Sequence, residues 1–211
     1  DRQVVRGMLG NSPQVVTRQS VRMKFDVELV GSGTAGTAPG YGPCLKACGR
    51  VETIVASTSV TYARVNSNYS SVTIDAHLDG QRHRMTGGRG TASLSISAEG
   101  IPKYTFDLLG IYSTPTVETL PTPTYTLQAL PRAVNSDNTP TVSVHGFAAC
   151  MSEFSLEDGN EIKFLQLAGC TKQVLLPNRK PSGSITIQMP LVSTKDYYTI
   201  AANQTTGAIT W

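Results

Sequence analysis

The chain has 211 residues, 39% hydrophobic and 16% charged, with a formal net charge of +3, enough length to bury a core as one all-β domain or two small ones. So small a charge over this length excludes nucleic-acid binding by bulk electrostatics, which needs clustered Lys and Arg to release counterions. Its 25 Thr and 18 Val suit a pleated surface better than a helix, and its 19 Gly and 12 Pro punctuate turns, so many short strands are expected.

The first predicted strand covers Met23 to Val30. Met23, Phe25, Val27 and Leu29 share one face, and Lys24, Asp26 and Glu28 the other, which is the two-residue period of a half-buried strand. The glycine-rich run Gly31-Ser32-Gly33-Thr34-Ala35-Gly36 follows, then one short helix of about two turns. Pro43 suits its first turn, Cys44, Leu45 and Cys48 give it an apolar stripe, and Gly49 can end it in the left-handed conformation.

Asp79-Gly80 separates two further strands, Ser71 to Leu78 and Gln81 to Thr86, and is a strong signal for a type I′ hairpin. A two-residue turn pairs Leu78 with Gln81, Ala76 with His83 and Ile74 with Met85 on one face. The other face then pairs Thr73 with Thr86, Asp75 with Arg84 and His77 with Arg82. A slip of one residue would scramble both faces. Thr91 to Ala98 alternates again, with Ala92, Leu94, Ile96 and Ala98 together, and Tyr104 to Tyr112 is a further strand.

Residues 113–141 hold Pro115, Pro121, Pro123, Pro131 and Pro140. Proline cannot donate to a ladder, so this stretch reads as an extended arm or connection, and a connection that long is usually functional. Beyond it, Asp158-Gly159-Asn160 suggests a three-residue hairpin loop pairing Leu156 with Ile162 and Phe154 with Phe164. Gly183 to Met189 is another strand, and Ala208 to Trp211 reads as a strand beginning.

Chemistry is sparse. Gly31-x-Gly33-x-x-Gly36 has the spacing of a dinucleotide loop, but the strand before it alternates, whereas a central parallel strand is apolar on both faces. The helix after it is also too short for a crossover, so a flexible glycine loop is expected. His145 and Cys150 would make a nucleophile pair only if the fold joined them; a strand-end His near a core Cys is the plainer expectation. Cys44, Cys48, Cys150 and Cys170 lack metal-ligand spacing with His77, His83 and His145 and are expected as buried free thiols. The longest apolar run, Phe147 to Met151, falls far short of the roughly 20 residues that span a bilayer. The reading is of a non-enzyme without a cofactor.

Several strings together resemble one family. They are Phe25-Asp26-Val27-Glu28-Leu29, Gly31 through Pro39, Tyr41-Gly42-Pro43 and Ala47-Cys48-Gly49, continued by Val60-Thr61-Tyr62, Asp79-Gly80, Gly87 with Arg89-Gly90, and Pro102 with Phe106. Leu9-Gly10-Asn11-Ser12-Pro13 adds to them, and Asn178-Arg179-Lys180 and Ser182-Gly183-Ser184 carry a looser match. This combination resembles the tail tube proteins of phages with long non-contractile tails. The resemblance implies an all-β fold with one short helix, a β-sandwich or barrel subunit that lends strands to a ring-closed barrel of several copies. It implies hexameric rings stacked into a hollow tube through which DNA passes without specific binding. It also implies a place in the virion tail, assembly in the host cytoplasm, and tape measure, tail terminator and distal tail proteins as partners. Family members begin earlier and run on past a Trp like Trp211, so the chain is expected to be an internal portion of a longer subunit, a single domain over residues 1–211.

A bore for DNA should repel phosphate, so Arg82 and Arg84 are expected at a subunit contact or on the outer surface. Gly31, Gly33, Gly36 and Pro39 of the glycine loop, with Pro121 and Pro123 of the arm, are the other candidate contacts between copies. The alternative reading is a β-sandwich module that binds carbohydrate or a receptor. It needs an exposed aromatic platform, and Trp211 is the single Trp.

Overall fold

A computed structural model describes residues 16–211; the Leu9 to Pro13 string lies outside them. In chain order the elements are β1 (Ser20–Glu28), α1 (Gly42–Ala47), β2 (Arg50–Val55), β3 (Ser59–Arg64), β4 (Val72–Leu78), β5 (Gln81–Ser97) and β6 (Lys103–Tyr112). Then come β7 (Thr116–Val117), β8 (Ser143–Val144), β9 (Phe147–Ala148), β10 (Met151–Glu157), β11 (Lys163–Leu165), β12 (Gln173–Leu175), β13 (Ser182–Ile187), α2 (Tyr197–Ala202) and β14 (Ile209–Thr210).

The alternation of β1 survives folding: Val21, Met23, Phe25 and Val27 are half-buried and the residues between them exposed. β1 pairs antiparallel with β6, with Phe25 opposite Phe106 and their rings 5.6 Å apart. The main sheet runs β1-β6-β5-β10-β13, with β4 and β7 also on β5. One face of it holds the core. Phe106, Leu108, Ala92, Leu94, Ile96 and Phe154 pack there against Tyr41, Leu45, Ala47 and Cys48 of the α1 segment, with Tyr62 of β3 at the margin. The layer across from the sheet is thus α1 with the β2–β3 ribbon. As expected, α1 carries Pro near its start and Gly49 just past its end at φ +80.

The β4–β5 hairpin has the predicted register from Ile74–Met85 to Leu78–Gln81, and Asp79 and Gly80 both take positive φ, 45° and 74°, as a type I′ turn requires. The Thr73–Thr86 pair does not form. Register shifts against β4 between Val72 and Ile74 and against β6 between Thr86 and Arg89, so one extra residue sits at Gly87-Gly88. That bulge corrects a second expectation: the strands read as Gln81 to Thr86 and Thr91 to Ala98 are one strand of 17 residues. Its buried positions change parity at the bulge, from Met85 to Gly88, Gly90, Ala92, Leu94 and Ile96, because one extra residue resets the alternation.

The expected hairpin around Asp158-Gly159-Asn160 is absent. β10 lies between β5 and β13, with Phe154 opposite both Ile96 and Ile185, while Phe164 pairs with Val174 in a separate β11–β12 ribbon. Two apolar partners from distant strands bury Phe154 more fully than one local partner could. The turn residues are spent on tertiary contacts: Asp158 accepts from Arg50 and Arg64, and Asn160 donates to the carbonyls of Cys48 and Gly90, each at 2.8 Å.

Among the described residues there are two short helices rather than one. Asp196 caps α2 by accepting from the Thr199 N–H at 3.0 Å, a signal readable as Asp196-x-x-Thr199. The terminal strand is present as β14, paired with β8. His145 (φ 52°) and Gly146 (φ 75°) form the turn between β8 and β9. All four cysteines are free; Cys48 is buried and Cys44 half-buried, but Cys150 and Cys170 are exposed, against expectation, since neither lies on a strand face turned to the core. Among the described residues no helix is long and apolar enough to cross a membrane.

Candidate assembly surface

Three features of the chain face outward without a partner among the described residues. The first is the pair of strands that end the order of the main sheet, β4 leaving a further edge beside β5. β1 and β13 end the same sheet, and neither has a further strand beside it. Unpaired edges present rows of N–H and C=O groups that template another chain. Alternate residues of β1, nine residues long, and of β13, six residues long, are available this way, and neither strand contains proline.

The second is the face of the sheet opposite the core. Strand pairing aligns Asp26, Thr105, Ser93, Glu157 and Ser182 in one row across all five strands. The adjacent row is Glu28, Lys103, Ser95, Ser155 and Ser184. The Ser155 and Ser184 hydroxyls lie 2.8 Å apart. Asp26 accepts from the Thr105 hydroxyl at 2.6 Å and from Lys103 at 3.0 Å, and these contacts, Thr105 first, hold its carboxyl below the usual range. Arg22 is clamped by both oxygens of Asp107 at 2.6 Å. The open stretch ends at Arg89, which donates to the Val174 carbonyl at 2.8 Å where β12 packs against β5 and β6.

The third is the Pro-rich arm. The Glu118 N–H donates to the Gly80 carbonyl at 3.0 Å, and farther along, the Gly40 N–H donates to Leu127 and the Ala129 N–H to Gly31. Between these anchors residues 119–126 are all exposed, with Leu120 70% and Tyr125 74% accessible.

Against this geometry, the family model described as phage tail tube protein matches residues 1–211, the whole chain. The chain belongs to the phage tail tube protein family. No curated protein matches it. Tail tube proteins are structural components of the virion tail that self-assemble into a tube, and the family is typically non-enzymatic.

In this tail tube protein the expected contact residues fall into two groups. The glycine loop and the arm come together: the Gly31 carbonyl accepts from Ala129, and a Cβ on Gly33 would lie 3.9 Å from that of Ala129. Gly36 (φ +72°) presses on the β2–β3 turn, where a Cβ would sit 2.3 Å from the Ser57 nitrogen. Pro39 is buried, its carbonyl accepting from Gly42 at 2.9 Å, so it supports the loop from within. Pro121 and Pro123 lie in the exposed part of the arm. Arg82 and Arg84 form the other group, at the far end of β5. Arg84 is held by both oxygens of Asp75 at 2.7 Å, which lowers the Asp75 pKa; Arg82 pairs with Glu118 of the arm at 2.5 Å.

Sequence reasoning missed the free edges of β1 and β13, because an edge is defined by the strand that is missing beside it. It also missed the β2–β3 ribbon, although Val51 to Val55 and Val60 to Tyr62 flank Ala56-Ser57-Thr58 as a hairpin would. There Tyr62 donates to Glu52 at 2.6 Å.

Proposed function

We propose that this protein is a single-domain subunit that forms hexameric rings, that the rings stack into the tail tube, and that the tube is the conduit for genome delivery. One observation carries this reading: β1 and β13, at the two ends of the strand order, each leave a free edge on the same sheet. Joining β1 of one copy to β13 of the next is a head-to-tail contact, and such contacts close into rings when the rotation permits. Closure removes edges that would otherwise invite aggregation. The glycine loop and the arm are contacts to a neighbouring copy or ring, and so is the Arg82–Arg84 end of β5. Assembly takes place in the host cytoplasm, with tape measure, terminator and distal tail proteins meeting the tube along its bore and at its ends.

Electron microscopy of the purified protein tests this. Rings of six copies, or tubes built from them, are expected; lone globules, or partners joined without shared strands around a channel, would overturn it. The carbohydrate-binding alternative gains little from Trp211, whose ring packs on Phe154 with centroids 4.8 Å apart.

A further inference from the structure

The α1 segment packs on the apolar core, but one end of that core opens into a hollow of about 270 Å³. Val30, Ile96 and Met151 line it from the core side, Trp211 stands beside it, and Leu130 to Val134 of the returning arm form its lip. Val30 and Ile96 are buried, whereas Leu130 is almost fully exposed and Trp211 half exposed. The lip is fixed at both ends. The Ala129 N–H donates to the Gly31 carbonyl and the Val134 N–H to the Gly100 carbonyl, while the Val134 carbonyl accepts from the Glu99 N–H. Between them, the Ala133 carbonyl accepts from the Asn138 side chain at 3.0 Å. Arg132 is exposed on this lip and is the one charged residue lining the hollow among the described residues. No carboxylate among the described residues reaches it at ion-pair distance, Glu99 and Asp137 of the flanking turns included.

We infer that this hollow is a binding site for a medium-chain acyl carboxylate, its tail against Val30, Ile96, Met151 and the Trp211 ring and its head at Arg132. Small-molecule sites join mostly apolar walls to a few placed polar groups, and this one has that division. At about 30 Å³ for each water-sized group, it holds a tail of about nine methylenes. A guanidinium offers paired N–H donors that match the two oxygens of a carboxylate, so the unpaired Arg132 selects the head. A second hollow, of about 430 Å³, lies on the other side of Trp211 over Phe154, Leu156 and Ile185. It carries no charged residue, so nothing there selects a head group. A peptide suits the first hollow less well. The lip's own hydrogen bonds occupy the Val134 N–H and the carbonyls of Ala133 and Val134, so an entering chain would bury amides without partners. An acyl tail has none to bury. The site is complete within one chain and does not depend on the tube reading.

Trp211 is the single Trp, so its emission reports the site in the unassembled full chain. Decanoate, kept below its micelle concentration, should change that emission saturably, and decanol should bind about fivefold more weakly, the loss of one partly exposed charge pair. Arg132→Gln, a change at an exposed position, should leave Tm where it is. It should weaken decanoate binding about fivefold and leave decanol binding unchanged. Ala133→Leu, which narrows the hollow, should weaken both. A response that does not saturate would overturn the inference. So would equal affinities for decanoate and decanol, or an Arg132→Gln protein that binds decanoate as before. Tighter binding of acetyl-Leu-Leu than of decanoate would give the hollow to a peptide carboxylate and overturn it as well. Each of these outcomes is read whether or not the protein forms tubes.

Discussion

Asp158 and Arg50 stand 108 positions apart in the chain and meet at 2.9 Å, the Arg50 guanidinium reaching both carboxylate oxygens. Arg64 reaches the same carboxylate at 3.0 Å, so one aspartate at the end of β10 ties both strands of the β2–β3 ribbon to the main sheet. A two-stranded ribbon is marginal on its own, and this contact explains why it holds its place.

The Asp158 side chain is 1% exposed, that of Arg50 12% and that of Arg64 37%. Removing one member of a buried pair leaves the other uncompensated. Asp158→Ala should therefore lower the unfolding free energy by about 3 kcal/mol. Arg64→Ala, at a wetter site, should cost about 1 kcal/mol or less. Urea denaturation midpoints at unchanged slope would measure both; equal effects would show that burial does not govern the cluster.

Gly90 and Gly80 should respond differently to alanine. A Cβ at Gly90 would lie 2.0 Å from the Asp107 carbonyl, a backbone atom that cannot swing away. At Gly80 nothing lies within 4 Å, but φ is +74°. Gly80→Ala should cost about 1 kcal/mol, the strain of the left-handed conformation. Gly90→Ala should cost more, about 2–3 kcal/mol, because strands β5 and β6 must separate. Thermal melts of the two variants would rank them.

The Glu52–Tyr62 contact predicts a pH dependence. The hydrogen bond from Tyr62, and then Lys46, hold the Glu52 carboxyl below its ordinary 4.5, so its contribution is present above that value and fades as pH falls through the lowered one. Burial, and then Glu52, raise the Tyr62 phenol, so that contribution persists below its ordinary 10.0 and fades only as pH rises beyond it. Tyr62→Phe should flatten the acid limb of Tm against pH below about 4.5 and leave Tm at pH 7 lower by a few degrees. An unchanged acid limb would mean that other carboxylates control it.

Thiol reactivity should divide the cysteines in the unassembled protein. Burial pushes the Cys44 thiol up to about 11 and raises Cys48 as well, while Cys150 and Cys170 are exposed. Iodoacetamide at pH 8 should add two groups to native protein, at Cys150 and Cys170, and four in urea. Mass spectrometry of the peptides reads this directly.

The arm should matter for assembly and little for folding. Leu120→Ser and Tyr125→Ser remove apolar surface that is mostly exposed in the single chain, so Tm should move by less than about 2 °C. If these side chains dock on another copy, the concentration needed for tubes should rise about tenfold. Normal tubes at the original concentration would release the arm from that role.

Much of this protein is decided locally. The alternation of Met23 to Glu28, the Asp79-Gly80 turn with its register, and the Pro43–Gly49 limits of α1 each follow from side chains within a few positions of one another. Steric and hydrogen-bonding preferences act at that range whatever the rest of the chain does. Tertiary structure decided what depends on a distant partner. Phe154 joined Ile96 and Ile185 instead of Phe164 because two sheet neighbours bury an aromatic ring better than one hairpin neighbour. Gly87-Gly88 became a bulge within one long strand because β6 continues past it. The same holds for the surface that counts: that β1 and β13 are edges, and that the serine- and carboxylate-bearing face stays uncovered, depends on which strands come to lie beside them and which do not.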